Sequence, residues 1–134
     1  MNNQINKKIN LILVAGVILL MGYLFYNDIY NKPKELKENG LLLSAFTLDW
    51  KISTKAGYVL KYEFYYNKHK LIGFASSKDL KGNLSFENKY FPVLYDPVHG
   101  HKELLMEPRI FKEYDIPFPD SLKWVLEFLP KQSK

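Results

Sequence analysis

Three spacings of apolar residues divide the chain. Residues 9–27, INLILVAGVILLMGYLFYN, run for nineteen positions without a charge and without a polar stripe. A helix of that length spans ~28 Å, close to the ~30 Å hydrocarbon core of a bilayer. Eleven of its residues are Leu, Ile, Val or Phe. Together they favour insertion by about 3–7 kcal/mol, opposed by Asn10, Gly16, Gly22 and the tyrosines. Asn10 lies at one end, and Tyr23 and Tyr26 at the other, depths that suit an interface. The pattern predicts a transmembrane helix, with Leu11, Val14, Ile18, Tyr23 and Phe25 among its lipid-facing residues.

From Gly40 the period falls to two. FTLDW alternates Phe46, Leu48 and Trp50 with Thr47 and Asp49. YVLKYEFYY sets Tyr58, Leu60, Tyr62, Phe64 and Tyr66 against Val59, Lys61, Glu63 and Tyr65, the mark of a half-buried antiparallel strand. NKHK (67–70) turns it into LIGFAS (71–76), giving a hairpin in which Gly73 suggests a bulge or tight bend. After the polar loop 76–89 come YFPVLY (90–95), where Pro92 marks an edge or a strand start, and KELLME (102–107).

From Asp120 a helical spacing returns, with Leu122, Val125, Leu126 and Leu129 forming one stripe. Pro119 precedes it, and Asp120 or Ser121 can cap it. Such a helix either closes one end of the sheet or rests at headgroup level through Trp124 and Phe128, with Lys131 and Lys134 towards anionic lipid. The first arrangement is preferred.

The fold class expected is mainly β: an N-terminal transmembrane helix, a small antiparallel barrel or bent sheet of four to five strands, and a short C-terminal helix. The segments are a tail (1–8), a signal anchor (9–27), a linker (28–39), the β domain (40–116) and the C-terminal helix and tail (117–134). In the linker, Pro33 can open a helical turn and Gly40 can close it.

Charge and composition narrow the functions. The 134 residues carry 19 Lys+Arg against 14 Asp+Glu, and Arg109 is the only arginine. Bidentate reading of phosphate or guanine favours arginine, so a nucleic-acid partner is not expected. No cysteine is present, which removes disulfides, thiolate metal sites, thiol nucleophiles and lipidated-cysteine anchors. A cleaved signal needs small residues after the apolar run, yet GYLFYNDIY follows, so the anchor is expected to stay attached. Lys7 and Lys8 before the span and Lys32, Lys34 and Lys37 after it leave orientation finely balanced. A cytoplasmic N-terminus with the domain outside is preferred. Gly16 and Gly22 are six apart and offer no GxxxG face.

The chemistry worth weighing sits in YDPVHGH. Two histidines at i, i+2, His99 and His101, with Asp96 or Glu103 beside them can bind a metal. The same residues also make a turn: Asp96 caps its own backbone, Pro97 pre-sets φ, and Gly100 supplies a positive φ. A turn fixes two imidazoles only with supporting partners, and none is evident, so the turn is preferred and no metal or other cofactor is expected. No G-x-S-x-G, P-loop, G-x-G-x-x-G or H-E-x-x-H occurs. Asp49, Glu63, Asp79, Asp96 and Glu103 read as solvated surface.

The order of elements, with Tyr62, Phe64 and Asn67 and then Val93, Tyr95, Asp96 and Pro97, resembles a family of small, uncharacterised bacterial membrane-anchored proteins. Their domain of unknown function carries a Y-x-F…N-G-K hairpin and a V-x-Y-D-P-x-N-P turn. The resemblance covers roughly residues 39–107. Lys68 stands where that hairpin has Gly, and His99-Gly100 replace Asn-Pro. It implies a membrane-tethered β domain and supplies no activity. The expected role is non-catalytic: an interaction or accessory protein of the envelope, of which an immunity-type protein is one form. Tyr58, Tyr62, Tyr65 and Tyr66 are its binding surface, and its partners are the bilayer and another envelope protein. The alternative is a metal-dependent enzyme or metal-binding protein using His99 and His101.

Overall fold

The computed structural model describes residues 2–55 and 57–131. Helix α1 (Asn2–Tyr26) passes through a π-helical turn (Asn27–Asn31) into α2 (Lys32–Asn39) without a break. The resulting 38-residue helix is ~57 Å long. Its mean hydropathy reaches 2.2, and it is the one helix among the described residues long and apolar enough to cross a membrane. No residue of α1 is buried. The tail 1–8 is helical from Asn2, because nothing in NNQINKK breaks a helix. The linker 28–39 is helical along its length, more than the turn expected between Pro33 and Gly40, and Leu36 packs it on the sheet. Pro33 sits in the first turn of α2, and Gly40 closes it by donating its N–H to the Leu36 carbonyl at 2.9 Å.

Five antiparallel strands follow: β1 (Leu41–Ser53), β2 (Gly57–Tyr66), β3 (His69–Ser76), β4 (Tyr90–Tyr95) and β5 (Lys102–Leu104), in the order β3-β2-β1-β4-β5. β1 organises the sheet. Its first half pairs with β4 over 41–46 and its second with β2 over 45–53, so the two ribbons overlap only at Ala45 and Phe46. Between Thr47 and Trp50 the register slips by one residue, a β-bulge that sharpens the local twist. The sheet curls into a half-barrel whose edges, β3 and β5, approach without pairing.

The bulge also reverses the simple alternation of FTLDW. Ala45 and Thr47 point into the core, while Phe46 and Leu48 are only half-buried. The extra residue returns Trp50 to the core side, where its indole N–H donates to the Asn83 carbonyl at 2.7 Å. Thr47 is tolerated inside because its hydroxyl donates to the Phe86 carbonyl at 2.6 Å and accepts from the Lys89 N–H at 2.9 Å. These bonds pin the polar loop 77–89 against β1.

The β2–β3 hairpin forms with unbroken register from Val59↔Ser76 to Tyr66↔His69. Asn67 and Lys68 both take positive φ (48° and 65°), as a two-residue hairpin turn requires. Gly73 makes no bulge. It lies opposite Tyr62, and a Cβ there would overlap the Tyr62 ring. Pro92 lies on an interior strand, not an edge. Its carbonyl accepts from Leu105 N–H at 2.8 Å, on the β5 side, so its missing donor also faces that side, just beyond the last paired residue, Leu104.

β5 ends at Leu104, shorter than the expected 102–107, because Pro108 opens a helix, α3 (Pro108–Glu113), that periodicity did not reveal. The tail is a 3₁₀-helix, Asp120–Phe128. With three residues per turn, Leu122 and Val125 stack inward and Leu126, expected in the stripe, is exposed. The tail closes one end of the half-barrel. Trp124 packs on Phe86 and Phe91 (ring centroids 5.1 and 5.9 Å) and Phe128 on Phe86 (5.6 Å). Trp124 and Phe128, the membrane-interface candidates, thus find their aromatic partners within the protein. Lys134 lies outside the described residues. The core is filled by Tyr62, Phe64, Phe86, Phe91, Phe111 and Leu36, all at most 1% exposed.

Candidate functional site: the junction of α2 with the β4–β5 turn

Asp96 follows β4 and starts the turn. Its Oδ1 accepts from the Val98 N–H at 2.8 Å, and its backbone N–H donates to the His101 carbonyl at 2.9 Å. Gly100, at φ +75°, donates to the Asp96 carbonyl at 2.8 Å. The Asx-type turn is therefore present as expected from DPVHGH. Yet Asp96 is fully buried, which corrects its assignment to solvated surface.

The turn also holds its imidazoles. His99 Nδ1 is 2.7 Å from Asp96 Oδ2. His99 and His101 face each other almost in parallel, with centroids 6.0 Å apart and planes at 17°. Both nitrogens that point inward meet a residue from a segment sixty positions away. Glu35 Oε2 lies 2.8 Å from His101 Nε2 and 3.6 Å from His99 Nδ1. Ligand atoms of Glu35, Asp96 and His99 all lie within 4.8 Å of one another. The supporting partner that the sequence did not disclose is Glu35.

Glu35 is positioned by its neighbours on α2. Leu36 is fully buried, and a Cβ on Gly40 would meet the Leu94 side chain of β4 at 2.8 Å, so α2 lies close on the sheet. Lys32 reaches Glu103 on β5 at 3.8 Å, and Lys37 reaches Asp115 at 2.6 Å. An apolar plug with flanking ion pairs fixes the helix over the turn. The only local signal for Glu35 was its place between Lys34 and Leu36, which marks a helix face but no partner.

The electrostatics follow from these contacts. Burial works against the ionised form of Asp96, but hydrogen bonds from His99 and from the Val98 and His99 N–H groups outweigh it and hold the carboxyl below the usual range. The hydrogen bond to Asp96 raises His99 above its ordinary value against some desolvation, with Glu35 adding attraction. Glu103 behaves oppositely. Enclosure lifts its carboxyl, Lys32 opposes that, and Glu113 adds to it. Glu103 points into the seam between β5 and β3, a pocket of about 140 Å³ shared with Tyr62 and Lys32, so it is not part of the His cluster. His69 starts β3 opposite Tyr66 and stands exposed.

The four tyrosines do not form one surface. Tyr62 is a core residue, 1% exposed, whose hydroxyl burial pushes strongly upward in pKa, which corrects its place in a binding surface. Tyr66 is half-buried against Tyr95 at 5.3 Å. Tyr58 and Tyr65 are exposed but, seven residues apart on one strand, lie on opposite faces. Leu11, Val14, Ile18, Tyr23 and Phe25 are all exposed along α1.

No protein-family model, curated protein or solved structure matches this chain, and the resemblance drawn over residues 39–107 rests on its motifs alone.

Proposed function

We propose that this chain is a single-pass, membrane-tethered β domain of the bacterial envelope, with its head outside the cytoplasmic membrane, acting without catalysis by docking another envelope protein. The observation that carries the reading is the contrast in burial. From Leu11 to Tyr26, α1 is apolar on every side and wholly uncovered, with Leu11 at 71% and Leu19 at 75% exposed, while the head completes its core without it. A helix hydrophobic all round needs an apolar surround, and a bilayer provides one of matching thickness. For the docking partner, the outer face of the β2–β3 hairpin presents Tyr65, Ile72 and Phe74, all exposed and on the same side by register. Aromatic and aliphatic side chains of this kind are enriched at the centres of interfaces.

Alkaline carbonate extraction of membranes, followed by intact-mass measurement, tests the tether. The chain is expected to stay in the pellet with residues 9–27 present. Release into the supernatant, or a mature chain starting beyond residue 26, would overturn it. Crosslinking from a photoreactive residue at Phe74 is expected to trap one envelope protein, and capture equal to that from a distant exposed site would count against the docking face.

A further inference from the structure

We infer that Glu35, Asp96, His99 and His101 form a site for one divalent transition-metal cation of the zinc type, which clasps the helical extension of the anchor to the β4–β5 turn. This goes beyond the tether and does not rest on it, since all four residues belong to α2 and the head.

Three observations converge. The donor set is two imidazole nitrogens and two carboxylates, a neutral sum with a dication and a combination that suits zinc, with no thiolate to select copper(I) or an iron–sulfur cluster. Glu35, Asp96 and His99 gather ligand atoms within 4.8 Å of one another, and His101 Nε2 joins them through Glu35: Glu35 Oε2 is 2.8 Å from His101 Nε2 and 3.6 Å from His99 Nδ1, while Asp96 Oδ2 is 2.7 Å from that Nδ1. Tetrahedral bonds of ~2.1 Å place ligand atoms about 3.4 Å apart. The two short contacts therefore open by some tenths of an ångström as protons give way to the metal, and the third already fits. Finally, the donors come from two segments that are each held by something else, Leu36 for α2 and the Asx turn for the histidines. Three donors are gathered before an ion arrives, and the fourth, His101, already contacts one of them.

With His101 drawn in beside the three clustered donors, four protein ligands leave no position for substrate, the pattern of a structural rather than a catalytic site. Its consequence is mechanical. With the ion bound, α2 and the turn move as one body, and the head keeps a fixed attitude to the membrane helix. Without it, the same groups are joined only by hydrogen bonds.

The test uses the full-length chain in detergent micelles, stripped with chelator and titrated with Co²⁺. One cobalt per chain is expected, with the strong visible bands of a tetrahedral nitrogen–oxygen site, displaced by Zn²⁺ and not by Mg²⁺. Glu35→Gln and His101→Asn, at partly exposed positions, are each expected to weaken affinity at least tenfold with unchanged circular dichroism. His69→Ala is expected to bind as the unaltered chain does. Nitrogen-15 shifts at His99 Nδ1 and His101 Nε2 should move together on zinc addition. No saturable one-to-one uptake, the weak spectrum of a hydrated ion, or equal affinity in the Glu35 and His101 variants would overturn the proposal. So would loss of binding on changing His69 alone. Membrane extraction is unaffected by any of these outcomes, so the tether and the clasp fail separately.

Discussion

The β2–β3 hairpin and the α2–turn junction are both built from polar-looking connections, yet they hold in different ways. In the hairpin every decisive contact is local. Leu60, Tyr62 and Phe64 fall inward by alternation, the ladder closes around Asn67-Lys68, and Gly73 makes room for the Tyr62 ring. In the junction the decisive contacts cross sixty residues. Leu36 fills the core, and Glu35 meets two histidines whose own turn knows nothing of α2. A local period can specify the first. The second exists only when the fold is complete.

The largest expected effect separates the two at their buried anchors. Leu36→Ala is expected to cost about 2–5 kcal/mol, as for a fully buried leucine, and to free α2 from the sheet. Fluorescence-monitored unfolding suits this, because the two tryptophans, Trp50 and Trp124, both belong to the head. A loss below 1 kcal/mol would mean that α2 is not a structural part of the head.

Gly73→Ala comes next. Its new methyl would overlap the Tyr62 ring, and overpacking of this kind costs about 1–3 kcal/mol. Little or no loss would show that the two strands spread without penalty.

The junction alone should respond to mild changes of pH in metal-free, chelator-treated protein. Asp96 titrates low in the folded chain, so its contribution is present above the ordinary aspartate value and lost as pH falls through the folded one. His99 titrates high, so its contribution is present below the ordinary histidine value and lost as pH rises through the folded one. Both are whole between about pH 4 and 6.5. The groups facing them are Glu35 from α2 and His101 from the turn. The melting temperature is expected to peak in that window, and His99→Asn is expected to flatten the alkaline side. A peak at the same pH in that variant would remove the His99–Asp96 pair as its cause.

The smallest effect is a gain. Lys68 holds φ at +65°, a conformation that costs a residue with a Cβ about 1 kcal/mol relative to glycine. Lys68→Gly is expected to raise the melting temperature slightly, with no change at the junction. Destabilisation would imply that the lysine side chain has a role in the turn.

These contrasts also explain what was legible in the residues. The uninterrupted apolar run gave α1, and strict alternation gave β2, because both depend on neighbours in sequence. The Asx turn was readable from Asp96, Pro97 and Gly100. FTLDW misled because a single extra residue at the bulge inverts the faces on either side, and alternation carries no mark of it. α3 was hidden in EPRIFKEY, where buried Ile110 and Phe111 are adjacent and show no helical period. A 3.6-residue period puts Leu126 in the inward stripe, but the 3₁₀ tail turns every three residues and leaves it outside. Glu35 was out of reach altogether, because a glutamate between Lys34 and Leu36 on a short polar helix looks like solvated surface until the sheet places His101 beside it.

Thiol labelling in spheroplasts tests the central claim most directly, since the chain has no cysteine of its own. Gln4→Cys lies before the span, and Ser85→Cys lies on an exposed turn of the head. With a membrane-impermeant maleimide, Ser85→Cys is expected to label in intact spheroplasts, and Gln4→Cys only after lysis. Labelling at Gln4→Cys with protection at Ser85→Cys, or recovery of the labelled head in the medium, would contradict the account.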